Sequence, residues 1–114
     1  MQPRDSQRLY HILDYCEDVL KHLSVIGNEH DVFLSDTMCQ HSIAFCILQI
    51  GELVARLSDE LRNDTAQEIN WSAIKSMRKI VVHDYGNIDL EVVWNVATED
   101  IPVLKSFCES QLNL

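Results

Sequence analysis

Apolar residues return every third or fourth position through four separate stretches of this chain, a rhythm that only amphipathic helices satisfy. The first stretch passes through Leu9, Ile12, Leu13, Cys16, Val19, Leu20 and Leu23. Asp5 or Ser6 can cap it, and Gly27-Asn28 stops it. Glu29 to Leu34 reads as a helical turn that tucks Val32 and Phe33 onto the rest. Ser35 or Asp36 opens the second long helix, with a stripe through Ile43, Cys46, Ile50, Leu53, Leu57 and Leu61, and Asn63-Asp64 breaks it. Ala44, Phe45, Leu48 and Val54 widen that stripe, so this helix is central in its bundle or buried against a second copy. Gly51 inside it costs about 1 kcal/mol against alanine, which predicts the close approach of another helix.

Asn70 caps a third helix beginning at Trp71, with Ile74, Met77, Val81 and Val82 on its apolar side and Gly86-Asn87 at its end. Asp89 caps the fourth, which reads Leu90, Val93, Trp94, Ala97, Ile101, Leu104, Cys108. Pro102 removes one backbone hydrogen bond from it, yet the stripe keeps phase across the proline, so a kinked continuous helix is expected. No segment alternates with period two. The expected fold is all-α, an antiparallel four-helix up-and-down bundle formed by residues 1–114 as one domain.

Other function classes recede on composition. The polar start, Met1 to Arg8, has no signal-peptide core, and the apolar run Ile43 to Ile50 is too short to span a bilayer. The expectation is a cytoplasmic protein without membrane contact. Cys16, Cys39, Cys46 and Cys108 form no C-x-x-C pair and have no histidine at zinc-finger spacing, so buried free thiols are expected and no metal. His11, His22, His30 and His41 likewise show no ligand spacing. A net charge of −9 excludes broad phosphate contact. The stretch Lys75 to Lys79, with three cations and no acid, still offers a confined patch.

The chemistry-bearing stretch is Arg78-Lys79-Ile80-Val81-Val82-His83-Asp84-Tyr85. An imidazole that titrates near neutrality can take a proton from a 2′-hydroxyl or give one to a leaving oxygen. A guanidinium fork can hold a phosphate as negative charge builds. Together they form a minimal metal-free ribonuclease. On one straight helix, Arg78 and His83 stand about 140° apart and roughly 7.5 Å along the axis. They converge only if the helix ends or distorts, or if a two-fold axis joins two copies. The residues alone also allow a structural role, in which Arg78 pairs with an acid of a neighbouring helix, His83 and Asp84 finish the helix, and Tyr85 closes the core.

Several motifs in order resemble the HepT-like branch of the HEPN superfamily. Ile50-Gly51-Glu52 followed by Arg56-Leu57-Ser58 is similar to an I-G-E-x-x-x-R-L-S run, and Trp71-x-x-Ile74-x-x-Met77-Arg78 to the family's entry into its third helix. His83-x-Tyr85 matches an H-x-Y, while Asp89-Leu90-Glu91-x-Val93-Trp94 and Glu99-Asp100-Ile101-Pro102 resemble the fourth helix. The N-terminal stretch from Arg4 to Leu13 fits as well, so the likeness covers essentially the whole chain.

The resemblance implies a homodimeric, metal-independent endoribonuclease without cofactor, the toxin of a toxin–antitoxin pair. Arg78 and His83 of both copies would line one cleft at the two-fold axis, with RNA, transfer RNA among the candidates, as substrate. It also implies a minimal nucleotidyltransferase antitoxin that moves AMP from ATP onto Tyr85, adding charge and bulk that would block RNA. Glu52, Lys79 and Asp84 are candidates to support the pair from behind. Lys79 departs from the family, which commonly has asparagine there, and a lysine cannot reproduce an amide's paired donor and acceptor. Glu52 is either a partner that orients Arg78 or His83, or a salt bridge at the rim. The alternative function is a catalytically weak or inactive helical dimer that binds, and is modified by, the nucleotidyltransferase.

Overall fold

The computed structural model describes residues 1–82 and 88–114, and the side chains of residues 80–82 lie outside that description. Among the described residues every regular element is helical. The long first helix α1 spans Pro3–Val25 and buries Leu9, Ile12, Leu13, Cys16, Val19 and Leu23, the face its spacing predicts. It ends as the glycine and asparagine require: Gly27 and Asn28 both take positive φ, and the Asn28 amide donates back to the Leu23 carbonyl at 2.8 Å.

Its start differs from the expected one. Pro3 occupies the first turn, where a missing N–H is no loss. Asp5 does not cap α1; it is 1% exposed and accepts from the Ser58 amide at 2.9 Å and the Ser58 hydroxyl at 2.5 Å. That contact also corrects the second long helix. The helix α3, Thr37–Ala55, stops before Leu57, and Ser58 caps a separate short helix α4, Asp59–Asp64, through the Leu61 amide. A carboxylate fifty-three residues upstream fixes the break. Replacing Asp5 by alanine removes both bonds to Ser58, and the expected loss is about 2 kcal/mol, read as a lower urea midpoint. An unchanged midpoint would mean that the clamp contributes nothing.

The remaining elements follow their caps. A short helix α2, His30–Ser35, seats Phe33 in the core. Asp36 caps α3 through the Cys39 amide at 3.0 Å, and Asn70 caps α5, Trp71–Val82, through the Ala73 amide at 3.1 Å. Asp89 caps α6, Leu90–Asn95. Helical turns then run without interruption through a π segment, Val96–Asp100, into α7, Ile101–Gln111. The expected continuity across Pro102 therefore holds, and the wide turn supplies the reason. Ile101 donates to the Val96 carbonyl one residue further back than an α-helix allows. That widening relieves the crowding between a proline ring and the carbonyl four residues before it.

Helix α3 is the hub: α1 and α5 pack along it, and α1 also packs on α7. Since Asp5 at the start of α1 meets Ser58 beyond the end of α3, those two helices run in opposite directions. Helix α3 has the length and mean hydropathy, 1.3, of a membrane span, and 44% of that window is buried in the fold. The buried share faces α1 and α5; Met38 and Phe45 stand exposed.

All four cysteines are free and buried, as the sequence predicts. Burial pushes the Cys46 thiol up to about 11 and Cys108 up to about 12, and it also raises Cys16, to which neighbouring Cys108 and Cys46 add. Unfolded thiols ionise near 8.5, so the folded chain holds protons that the unfolded chain releases above that pH. The stability these thiols contribute is fully present below about pH 8.5 and declines as pH rises toward the folded values. Urea midpoints should fall between pH 8 and 10, and a thiol reagent at pH 8 should react fast only after unfolding. Rapid labelling of the native protein would contradict this burial.

Candidate functional site

Helix α5 carries its apolar residues Trp71, Ile74 and Met77 inward, which turns Lys75 and Lys79 to solvent and leaves Arg78 at the boundary. The segment from Trp71 to Val82 holds three cations and no acid. In a chain of net charge −9 this is a local reversal of sign.

Arg78 sits at a close approach of α5 to α3. A Cβ placed on Gly51 would lie 3.0 Å from the Arg78 Cβ and 3.2 Å from the Arg78 backbone nitrogen. The glycine thus lets two backbones approach, as its place inside a helix predicts. One residue on, the Glu52 carboxylate lies 3.5 Å from the Arg78 Nη1, with the two side chains 42% and 34% exposed. A long, solvated contact of this kind contributes little stability. Its consequence is positional: the guanidinium is held toward α3 and remains reachable from solvent. Glu52 therefore reaches Arg78, an ion pair with an acid of a neighbouring helix.

Lys79 is exposed next to Arg78. His83, Asp84 and Tyr85, with the Gly86-Asn87 helix stop, lie outside the described residues. The structure accordingly joins Gly51, Glu52 and Arg78, and carries Lys75 and Lys79 on the same helix. Among the described residues, no three histidine, cysteine or acidic side chains gather as a metal site. His30 is engaged across the fold: its Nε2 is 2.8 Å from Glu91 and its ring meets Trp94 edge-on at 5.1 Å. Trp71 is buried in the core against Phe107, while Trp94, partly buried, packs on the core's edge against Phe33.

One feature beside this patch was not visible in the sequence. A cleft of about 620 Å³ lies between α4 and the start of α5, with Arg62, Asn63, Gln67, Asn70 and Lys75 on its walls. Read singly, Asn63 is a helix breaker and Asn70 a cap; the signal available was the recurrence of amides just before the cationic run.

Comparison with known proteins agrees with the family resemblance. The family described as "Ribonuclease HepT-like" matches residues 12–111. A protein of Thermococcus cleftensis named "Probable ribonuclease HepT" is 29% identical over 96 residues, 81% of this chain and 87% of the relative. Two Methanocaldococcus jannaschii proteins, each named "Putative RNase", are 27% and 26% identical. The first alignment covers 85% of this chain and 78% of the relative, the second 96% and 98%. No solved structure matches the chain. With the family model matched over residues 12–111, the chain belongs to the HepT-like ribonuclease family.

Proposed function

We propose that this chain is a metal-independent endoribonuclease, the toxin of a toxin–antitoxin pair, acting as a homodimer of antiparallel four-helix bundles in the cytoplasm. The observation that carries the reading is Arg78, a half-buried guanidinium oriented by Glu52 within an acid-free segment of an acidic protein. Family membership and the relatives' names support RNA as the substrate. Exposed Met38 and Phe45, spaced seven residues apart along α3 in line with Glu52, offer apolar surface for a second copy beside the site.

In this reading His83 removes the proton from a ribose 2′-hydroxyl, whose oxygen attacks the adjacent phosphorus. The P–O5′ bond breaks, and a protonated imidazole at the same cleft returns a proton to the departing 5′-oxygen. Arg78 offsets the charge that grows on the non-bridging oxygens. The products are a 2′,3′-cyclic phosphate and a 5′-hydroxyl. End analysis of cleaved RNA tests this: a 5′-phosphate product would rule the mechanism out.

Control falls to Tyr85, two residues from His83, as acceptor of AMP from a minimal nucleotidyltransferase. Intact mass after co-expression with that enzyme should rise by one adenylyl increment per modification, and Tyr85→Phe should remove the increase. The second reading, an inactive dimer that serves only as the transferase's substrate, is favoured by Lys79 and the net charge of −9. It predicts the mass increase together with intact RNA.

A further inference from the structure

We propose that the cleft between α4 and the start of α5 is a base-recognition subsite, taking an unpaired RNA nucleotide beside the phosphate held by Arg78. This rests on the nuclease reading for its phosphate, but the binding it describes can be measured without cleavage.

Size, wall chemistry and position each point the same way. About 620 Å³ is within the range that holds a nucleotide-sized ligand. The walls offer two side-chain amides, Asn63 and Gln67, both exposed, while Asn70, whose oxygen caps α5 through the Ala73 amide, adds only its NH2 donors. An amide presents a donor and an acceptor side by side, the pairing that reads a base edge. Such edges are available in single-stranded RNA, where bases are not already paired.

Charge separates base from phosphate. Arg62 is engaged by Asp59 at 2.6 Å, and Glu68 on the wall offsets Lys75, so the cleft carries no net excess of cations. A bare phosphate gains little there. At the rim the balance changes: Lys75 stands three residues, about 4.5 Å along the axis, from Arg78, with Lys79 just beyond. A backbone running along Lys75, Arg78 and Lys79 would leave its neighbouring base beside the amides.

The walls are also braced. The Trp71 Nε1 donates to the Thr65 Oγ1 at 2.8 Å, and that hydroxyl donates to the Leu61 carbonyl at 2.7 Å. The Glu68 and Ile69 amides both return to the Thr65 carbonyl. These bonds tie the end of α4 to the start of α5, so the cleft exists before a ligand arrives and binding need not order it.

The test uses the full-length protein and a double variant, Asn63→Ala with Gln67→Ala, whose helicity is checked by circular dichroism. Cut sites are mapped on an unstructured RNA containing every dinucleotide. The parent should prefer one base at a position flanking the cut, and the double variant should lose about tenfold or more of that preference. Unchanged cut sites and preference would overturn the subsite while leaving the nuclease intact. Binding of labelled homopolymeric RNA oligonucleotides to His83→Ala protein, with and without the double change, reads the cleft alone. If the parent cuts nothing yet discriminates among the oligonucleotides, and the double variant does not, the nuclease reading falls and the subsite stands. Equal or absent binding by both overturns the subsite. Lys75→Ala should weaken all oligonucleotides alike and flatten the salt dependence without altering preference.

Discussion

Changing Arg78 to alanine should lower the rate of RNA cleavage by a factor on the order of a hundred to a thousand, with the fold retained. The size follows from removing one positioned group that meets charge developing at the reacting phosphate. Retention of the fold follows from the same contacts. Arg78 is a third exposed, and its pair with Glu52 is long and solvated, so little stability rides on it. Arg78→Lys should recover only part of the activity, since an ammonium supplies charge without the two parallel donors of the fork. Glu52→Gln keeps the shape and loses the charge that holds the guanidinium. Its loss should be smaller than that of Arg78→Ala and fall mainly on kcat, because a freed Arg78 still attracts phosphate from a less well-defined position. Steady-state kinetics with a fluorogenic RNA would check all three. Equal activity of Arg78→Ala and the parent would mean that the arginine is a structural residue.

The second large effect is expected at Gly51. Valine there would drive its Cβ to 3.0 Å from the Arg78 Cβ and 3.2 Å from the Arg78 nitrogen, and the second of these is backbone that cannot rotate away. Helix α5 would have to shift off α3, opening part of the interface between them. Overpacking of a tight contact costs roughly 1–3 kcal/mol, and the second branch of valine adds to it, so Tm should drop by on the order of 10 °C. Alanine makes the more discriminating case. It gains about 1 kcal/mol of helix propensity while meeting the same two atoms, so its stability should change little. Its cleavage rate should still fall, because any adjustment moves the residue that carries the guanidinium. A stabilised and fully active Gly51→Ala would show that the close approach has no bearing on the site.

Gly51 also shows what was legible in the residues themselves. A glycine inside an otherwise apolar helix is a local anomaly with a local meaning, and the neighbour it admits turned out to be Arg78. The caps at Asp36, Asn70 and Asp89, and the stop at Gly27-Asn28, were equally readable, since each acts within a few residues of itself. The break at Ser58 was not. Leu57 and Leu61 keep the helical spacing across it, and the group that stabilises the break, Asp5, comes from the far end of the sequence. The cleft was hidden for another reason: its walls come from one stretch, Asp59 to Lys75, but the side-chain bond that joins Trp71 to Thr65 and shapes them has no spacing signature. At Pro102 the stripe kept its phase because a π segment absorbs the proline before it, a device with no residue signature of its own. Glu52 was readable as a candidate, but only coordinates show which side chain it reaches.

In the proposed mechanism Arg78 and His83 work together on a phosphodiester. Its most direct test is an RNA panel, transfer RNA included, incubated in excess EDTA with the wild-type protein, Arg78→Ala and His83→Ala, free of any nucleotidyltransferase. The account predicts fragments from the wild type and intact RNA from both variants. Intact RNA in every tube, or fragments that persist in both variants, would contradict it.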